Sequence, residues 1–116
     1  MITLYGLKNC DTCTKARKAL AAADFTHRFV DIRVDADLGS RVPAWLDTVD
    51  SDKLLNTRST TWRGLSDADK TRAQSDPAAL LIANPTLIKR PVIEAGADVH
   101  VGWSATVAKS VLGPPA

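Results

Sequence analysis

Histidine, cysteine and the aromatic residues are scarce in this chain: two histidines, two cysteines, three tryptophans, two phenylalanines and one tyrosine. A tetrahedral structural zinc site takes four ligands, and here Cys10, Cys13, His27 and His100 would all have to converge. No metal is expected. Hydrophobic runs approaching the roughly 20 residues of a membrane span are also missing, so no membrane association is expected. The net charge of +2 makes no case for direct contact with nucleic acid. Trp45, Trp62 and Trp103 read as packing residues rather than a platform for stacked bases. Met1-Ile2-Thr3-Leu4-Tyr5 leaves no room for the charged and apolar regions of a signal peptide. A cysteine pair in a chain without an export signal points to a reducing cytoplasm, where such pairs are more often catalytic or redox-sensing than structural.

What the chain does have is concentrated at its start. An apolar strand runs into Cys10-Asp-Thr-Cys13, and a basic helix follows. The start of a helix presents unpaired backbone N–H groups and the positive end of the macrodipole, which stabilise a cysteine there as thiolate. The thiolate is the attacking form, and a Cys-x-x-Cys motif or a helix start brings its pKa below the free value of roughly 8.5. Lys8, Lys15, Arg17 and Lys18 add positive charge, although only some can face the thiol, and Asp11 opposes them. Cys13, three residues on, is within reach as a resolving thiol. Burial as a small apolar side chain is the other reading of Cys13.

The 116 residues suit one domain, with no repeat, linker or low-complexity tract. Ile2–Tyr5 reads as a strand, Thr14–Ala23 as a helix and Phe25–Val34 as a second strand, together a βαβ unit. Helical patterns follow at Val42–Val49, Asp52–Leu55, Ser66–Gln74 behind a Ser66 cap, and Pro77–Ala83. Pro91–Ala95 and Asp98–Val101 form a hairpin turning at Gly96. Ser104–Leu112 closes as a helix capped by Ser104 and stopped by Gly113-Pro114-Pro115. This order, β-α-β and then β-β-α, resembles a thioredoxin-like mixed α/β sheet. The helical insert, at about residues 38–84, would fall between its two halves.

Two further groups carry chemical potential. In Ile88-Lys89-Arg90-Pro91-Val92-Ile93 a proline stands directly before an apolar strand, where a missing N–H is costly. Arg90 beside it is a permanently charged fork suited to oxyanions or to a thiolate. Leu54-Leu55-Asn56-Thr57-Arg58-Ser59-Thr60-Thr61-Trp62-Arg63 gathers arginines, hydroxyls and an amide. This cluster lines a cleft, or it is a helix connection with Asn56 and Ser59 as caps and Trp62 in the core. His27 and His100 belong to no recognisable pairing of base and nucleophile, and read as structural or solvent-exposed.

With Cys10-x-x-Cys13, Leu54-Leu55-Asn56-Thr57-Arg58 and Ile88-Lys89-Arg90-Pro91 in this order, the chain resembles the ArsC/Spx family of thioredoxin-like proteins, most of all its small YffB-like branch. The resemblance implies a thioredoxin-like fold with a helical insert, Cys10 as the reactive thiol and a cis bond before Pro91. Glutaredoxin-coupled arsenate reductases of that family hold the oxyanion with three arginines. Arg90 matches one of these, Asn56 stands where the first is expected with Arg58 two residues on, and no arginine lies around Val101-Gly102-Trp103. The resemblance therefore implies a thiol-dependent oxidoreductase linked to glutathione or a similar thiol, with no bound cofactor. Cys10, Cys13 and Arg90 are its catalytic candidates; Lys8, Thr12, Asn56 and Arg58 are candidates for binding a small thiol or oxyanion substrate. A redox-switched regulator binding the RNA polymerase α subunit, as Spx does, and a true arsenate reductase served by glutaredoxin are the alternatives.

Overall fold

The computed structural model describes residues 2–112. The proposed stop at Gly113-Pro114-Pro115 lies outside them. The chain divides into two compact units, one made of Met1–Ala36 with Arg90–Ala116 and the other of Asp37–Lys89.

The first unit is a four-stranded sheet. Strands β1 (Ile2–Gly6) and β2 (His27–Asp31) flank helix α1 (Asp11–Ala22); β3 (Val92–Ala95) and β4 (Asp98–Val101) precede a final helix, Ala105–Leu112. The sheet order is β2-β1-β3-β4, parallel between β1 and β2 and antiparallel elsewhere. This is the thioredoxin-like mixed sheet that the element order implies. Alternation in β1 sends Ile2 and Leu4 to one face, where they meet Cys13, Ala16 and Leu20 of α1, Ile93 of β3, and Val111 of the final helix. Leu4 and Leu20 have no exposed surface; full burial of each such side chain contributes about 1.5–3 kcal/mol. Gly96, first of the two hairpin residues, takes φ 63°, and Ser104 accepts the Val107 N–H at 3.2 Å as the cap of the last helix.

α1 begins at Asp11, three residues before the expected Thr14. Cys10 is its cap, extended at φ −96°, ψ 119°, and its carbonyl accepts the Thr14 N–H at 3.0 Å. Asp and Thr are indifferent helix formers in an interior but suit a first turn, where an acidic side chain meets the positive end of the dipole. At the other end Asp24 takes φ 61°, the Phe25 N–H bonds to Leu20 O at 2.9 Å and the Asp24 N–H to Ala21 O at 3.1 Å. This is a Schellman turn, and Phe25 packs on the cluster that holds Leu20. It removes Phe25 from the expected second strand. At the far end of that strand Asp31 accepts backbone N–H groups from Arg33, Asp35 and Ala36, which turns the chain before Val34.

The second unit is helical: α2 (Leu38–Leu46), α3 (Ser51–Leu54), α4 (Thr60–Arg63), α5 (Asp67–Ser75) and α6 (Pro77–Ala83), then a 3-10 turn at Pro85–Leu87. The final helix of the chain is α7. α2 starts at Leu38 rather than Val42 because its buried stripe is Leu38, Val42 and Trp45, and it carries Pro43 inside. α6 packs against α2 and α5. Leu55 bridges to Ile88, flanked by bonds from Asn56 N to Leu87 O and Lys89 N to Leu54 O, both 2.7 Å.

A left-handed backbone at Asp24 strains any residue with a Cβ. Asp24→Gly is expected to stabilise the protein against urea by about 0.5–1 kcal/mol, with an unchanged denaturant slope.

Candidate active site

The site forms in the sheet unit, where β1 ends and α1 begins. The Cys10 N–H bonds back to Leu7 O at 3.2 Å, closing the turn, and the Thr14 hydroxyl donates to Cys10 O at 3.1 Å. These bonds fix the backbone on both sides of Cys10. Its side chain is half-buried. It makes no hydrogen bond of capping geometry, but the N–H groups of Thr12 and Cys13, at the second and third helical positions, face the sulfur.

Burial resists ionisation of Cys10, yet the Cys13 N–H, the Cys13 thiol, the Arg90 guanidinium and the Thr12 N–H outweigh it and hold the Cys10 thiol below its ordinary value. The expected lysines are not what lowers it. Arg17 packs over the Phe29 ring, 4.4 Å from its centroid, and Lys8 is exposed. The positive group beside the sulfur comes instead from far along the chain. Arg90 stands directly before Pro91, their peptide bond is cis, and Pro91 is buried with its carbonyl accepting the Gly102 N–H at 2.8 Å.

Cys13 has the opposite environment. It is fully buried, and burial is the main cause that pushes its thiol up to about 11; the Leu7 N–H and Arg90 pull the other way, while Cys10 raises it further. Both cysteines are free thiols. Gly6 makes room for this arrangement, because a Cβ built there would lie 2.5 Å from Cys13 Sγ. Gly6 and Leu7 are absent from the sequence-based site. A glycine closing an otherwise apolar strand one turn before a cysteine pair was the available signal.

The structure thus brings together Cys10, Thr12, Cys13, Arg90 and Pro91, with Lys8 in the preceding turn. Asn56 and Arg58 belong to the helical unit. There Asn56 Oδ1 accepts the Arg58 N–H at 3.1 Å, Ser59 caps α4 by accepting the Trp62 N–H at 3.1 Å, and Arg58 is exposed. Trp62 is half-buried rather than a core residue, and Lys70 Nζ lies 5.9 Å from its ring centroid. Among the described residues no group of three or more His, Cys, Asp or Glu side chains could hold a metal ion, and no helix is long and apolar enough to cross a membrane.

A thiol with a lowered pKa at a helix start, on a thioredoxin-like sheet, defines a thiol-dependent oxidoreductase-like protein. Comparison with known proteins gives the family. The model of the ArsC family matches residues 5–110, and the chain belongs to that family. An uncharacterized protein of Haemophilus influenzae is 43% identical over 111 residues, covering 90% of this chain and 92% of that one. Among solved structures, the YffB (PA3664) protein is 32% identical with a TM-score of 0.87, over 97% of this chain and all (100%) of that one. An arsenate reductase (ArsC) related protein from Brucella melitensis is 31% identical with a TM-score of 0.73, over 97% and 95%.

Two outcomes follow from this geometry. Because its pKa is lowered, Cys10 loses its proton at lower pH than a free cysteine. The midpoint of its pH-dependent alkylation by iodoacetamide should therefore lie below that of a free cysteine under the same conditions, while Cys13 stays unlabelled until the protein is unfolded. Gly6→Ala should destabilise the protein by about 1–3 kcal/mol through overpacking, and Cys13→Ala should recover part of that loss in the double variant, read by urea unfolding.

Proposed function

We propose that the protein is a glutathione-linked thiol oxidoreductase with Cys10 as nucleophile and Arg90 as its charge partner. The observation that carries this is the split between the two cysteines. One is accessible and held toward the thiolate beside an arginine, and the other is buried with its proton retained.

The reaction is thiol–disulfide exchange. The Cys10 thiolate attacks one sulfur of a substrate disulfide. A bond forms between Cys10 and that sulfur, the substrate S–S bond breaks, and the second half leaves as a thiolate that takes a proton from water. Glutathione thiolate then attacks the substrate sulfur held on Cys10. The new disulfide joins glutathione to the substrate half, and Cys10 returns as thiolate. At this point one substrate sulfur has been reduced to a thiol and one glutathione sulfur oxidised into the mixed disulfide. A second glutathione thiolate attacks the glutathione sulfur of that disulfide, releases the other substrate half as a thiol and leaves glutathione disulfide, which completes the two-electron reduction. Arg90 and the Thr12 and Cys13 N–H groups hold negative charge on Cys10 when it is consumed and again when it is released. The Cys13 thiol donates a hydrogen bond to it. With a pKa of about 11, Cys13 is a poor attacking group near neutrality, so the external thiol resolves the intermediate.

These steps are assigned to residues of the sheet unit; Asn56 and Arg58 belong to the helical unit. Arsenate requires several fixed cations around a multiply charged oxyanion, and of the family's three arginines Arg90 alone is matched. Sulfur substrates are accordingly favoured. The chemistry suits a reducing compartment such as the cytoplasm.

In a glutathione-coupled assay with a small hydroxyethyl disulfide, Cys10→Ser should abolish turnover and Cys13→Ser should retain part of it. Arg90→Ala should slow it by about 10- to 100-fold, the equivalent of one lost charge-assisted hydrogen bond. Full activity in the Cys10→Ser protein would overturn the assignment.

A further inference from the structure

Beside α1, toward the first residue of β2, lies a cavity of about 330 Å³ lined by Thr14, Arg17, Lys18, Ala21 and His27. The four helical residues follow the i, i+3, i+4, i+7 spacing that places them on one face. Cys10 caps the same helix four residues before Thr14, whose hydroxyl donates to the Cys10 carbonyl. At ~1.5 Å rise per residue, Arg17 stands ~10 Å along the helix from Cys10. The cavity therefore flanks the helix that Cys10 caps, from Thr14 in its first turns to Ala21 near its end.

The charge of this surface has one sign. Its lining holds a guanidinium, an ammonium, an imidazole and a hydroxyl, and no carboxylate. Among the described residues neither Arg17 nor Lys18 has an ion-pair partner. The guanidinium of Arg17 is held over the Phe29 ring. Stacking of this kind occupies the π face of the guanidinium and leaves its in-plane N–H groups for a carboxylate, and it fixes the fork in place before any ligand arrives. The aliphatic stems and Ala21 supply an apolar wall, which strengthens a charge-assisted hydrogen bond by lowering the local dielectric.

We propose that this cavity is the binding subsite for the carboxylate end of a small peptide thiol, of which glutathione is the type, while the sulfur of that ligand works at Cys10. The thiol of such a ligand sits on its central residue, one to two spans of roughly 3.3–3.6 Å from a terminal carboxylate. The long Arg17 and Lys18 side chains, which on a helix lean toward its N-terminus and so toward Cys10, reach back over the rest of the distance. The anchor replaces a bimolecular encounter between the glutathione thiolate and the disulfide on Cys10 with an oriented one, and the two cations offset the charge the ligand brings. This rests on Cys10 as the nucleophile; it adds where the second thiol is held and what selects it.

The test uses the full-length protein and S-methylglutathione, which keeps both carboxylates and cannot exchange. Titration followed by amide chemical shifts is expected to move Thr14, Arg17, Lys18, Ala21 and His27. Arg17→Glu with Lys18→Glu should weaken that binding, and raise the KM for glutathione, by about tenfold or more, as expected for two lost charge-assisted contacts. The Cys10 alkylation rate should stay within about twofold, since exposed charges contribute little at a distance. Lys18→Glu alone, at an exposed position that leaves the Phe29 stack intact, should shift KM in the same direction, and Lys18→Arg should not. Unchanged KM and binding in the charge-reversed proteins, or shifts confined to residues away from α1, would overturn the subsite while leaving the thiol reaction standing. Binding at α1 by a native protein with no turnover would support the subsite and overturn the reaction.

Discussion

The start of α1 is the constraint on which the rest of the molecule turns. A helix cannot satisfy its first N–H groups internally, and here two of them face the Cys10 sulfur. The helix begins where it does because Cys10 takes an extended backbone and hands its carbonyl to Thr14. Its axis is held by Ala16 and Leu20 in the core, and its far end by the Schellman turn at Asp24 and Phe25. A shift of one residue at either end would rotate the cap by about 100° and aim the free N–H groups elsewhere.

The two cysteines show how little spacing alone decides. They are three residues apart on one helix end, and both are free. Cys13 is pressed against Gly6 in the core and keeps its proton, while Cys10 stands at the rim and gives its own up readily. Each condition supports the other. A protonated Cys13 can donate to a thiolate at Cys10, and negative charge on Cys10 makes loss of the Cys13 proton harder. The pair behaves as one titrating system in which the first ionisation is made easy at the expense of the second.

Much of this was legible in the sequence. The βαβ start, the hairpin over Asp98–Val101, helix α6 at Pro77–Ala83 and the Ser66 and Ser104 caps were readable because each rests on local signals, apolar periodicity and turn or cap chemistry. The Cys10 and Arg90 segments were readable as motifs. Boundaries were lost where a polar side chain outbid the periodic pattern: Asp31 turning the chain before Val34, Asp24 ending α1 in a left-handed residue that glycine normally supplies. Of the cations read near Cys10, Arg90 is the one that reaches its sulfur, and the local ones do not for a different reason. Local lysines were visible, but Arg17 spends its guanidinium on Phe29, a contact that depends on tertiary packing between α1 and β2. Gly6 was overlooked because its importance lies in the space it leaves for a sulfur seven residues on.

The sheet unit is assembled from the two ends of the chain, with residues Asp37–Lys89 forming the second compact unit in between. Strand β1 is paired on one side by β2 and on the other by β3, which follows Arg90 directly. During synthesis Cys10 leaves the ribosome about eighty residues before Arg90 does. Until the second segment arrives, β1 has one neighbour and Cys10 lacks its charge partner. A chain that stops before Arg90 keeps the N–H groups of the helix start and lacks the guanidinium, so one part of the activation of Cys10 is written next to it and the other is written near the far end of the sequence.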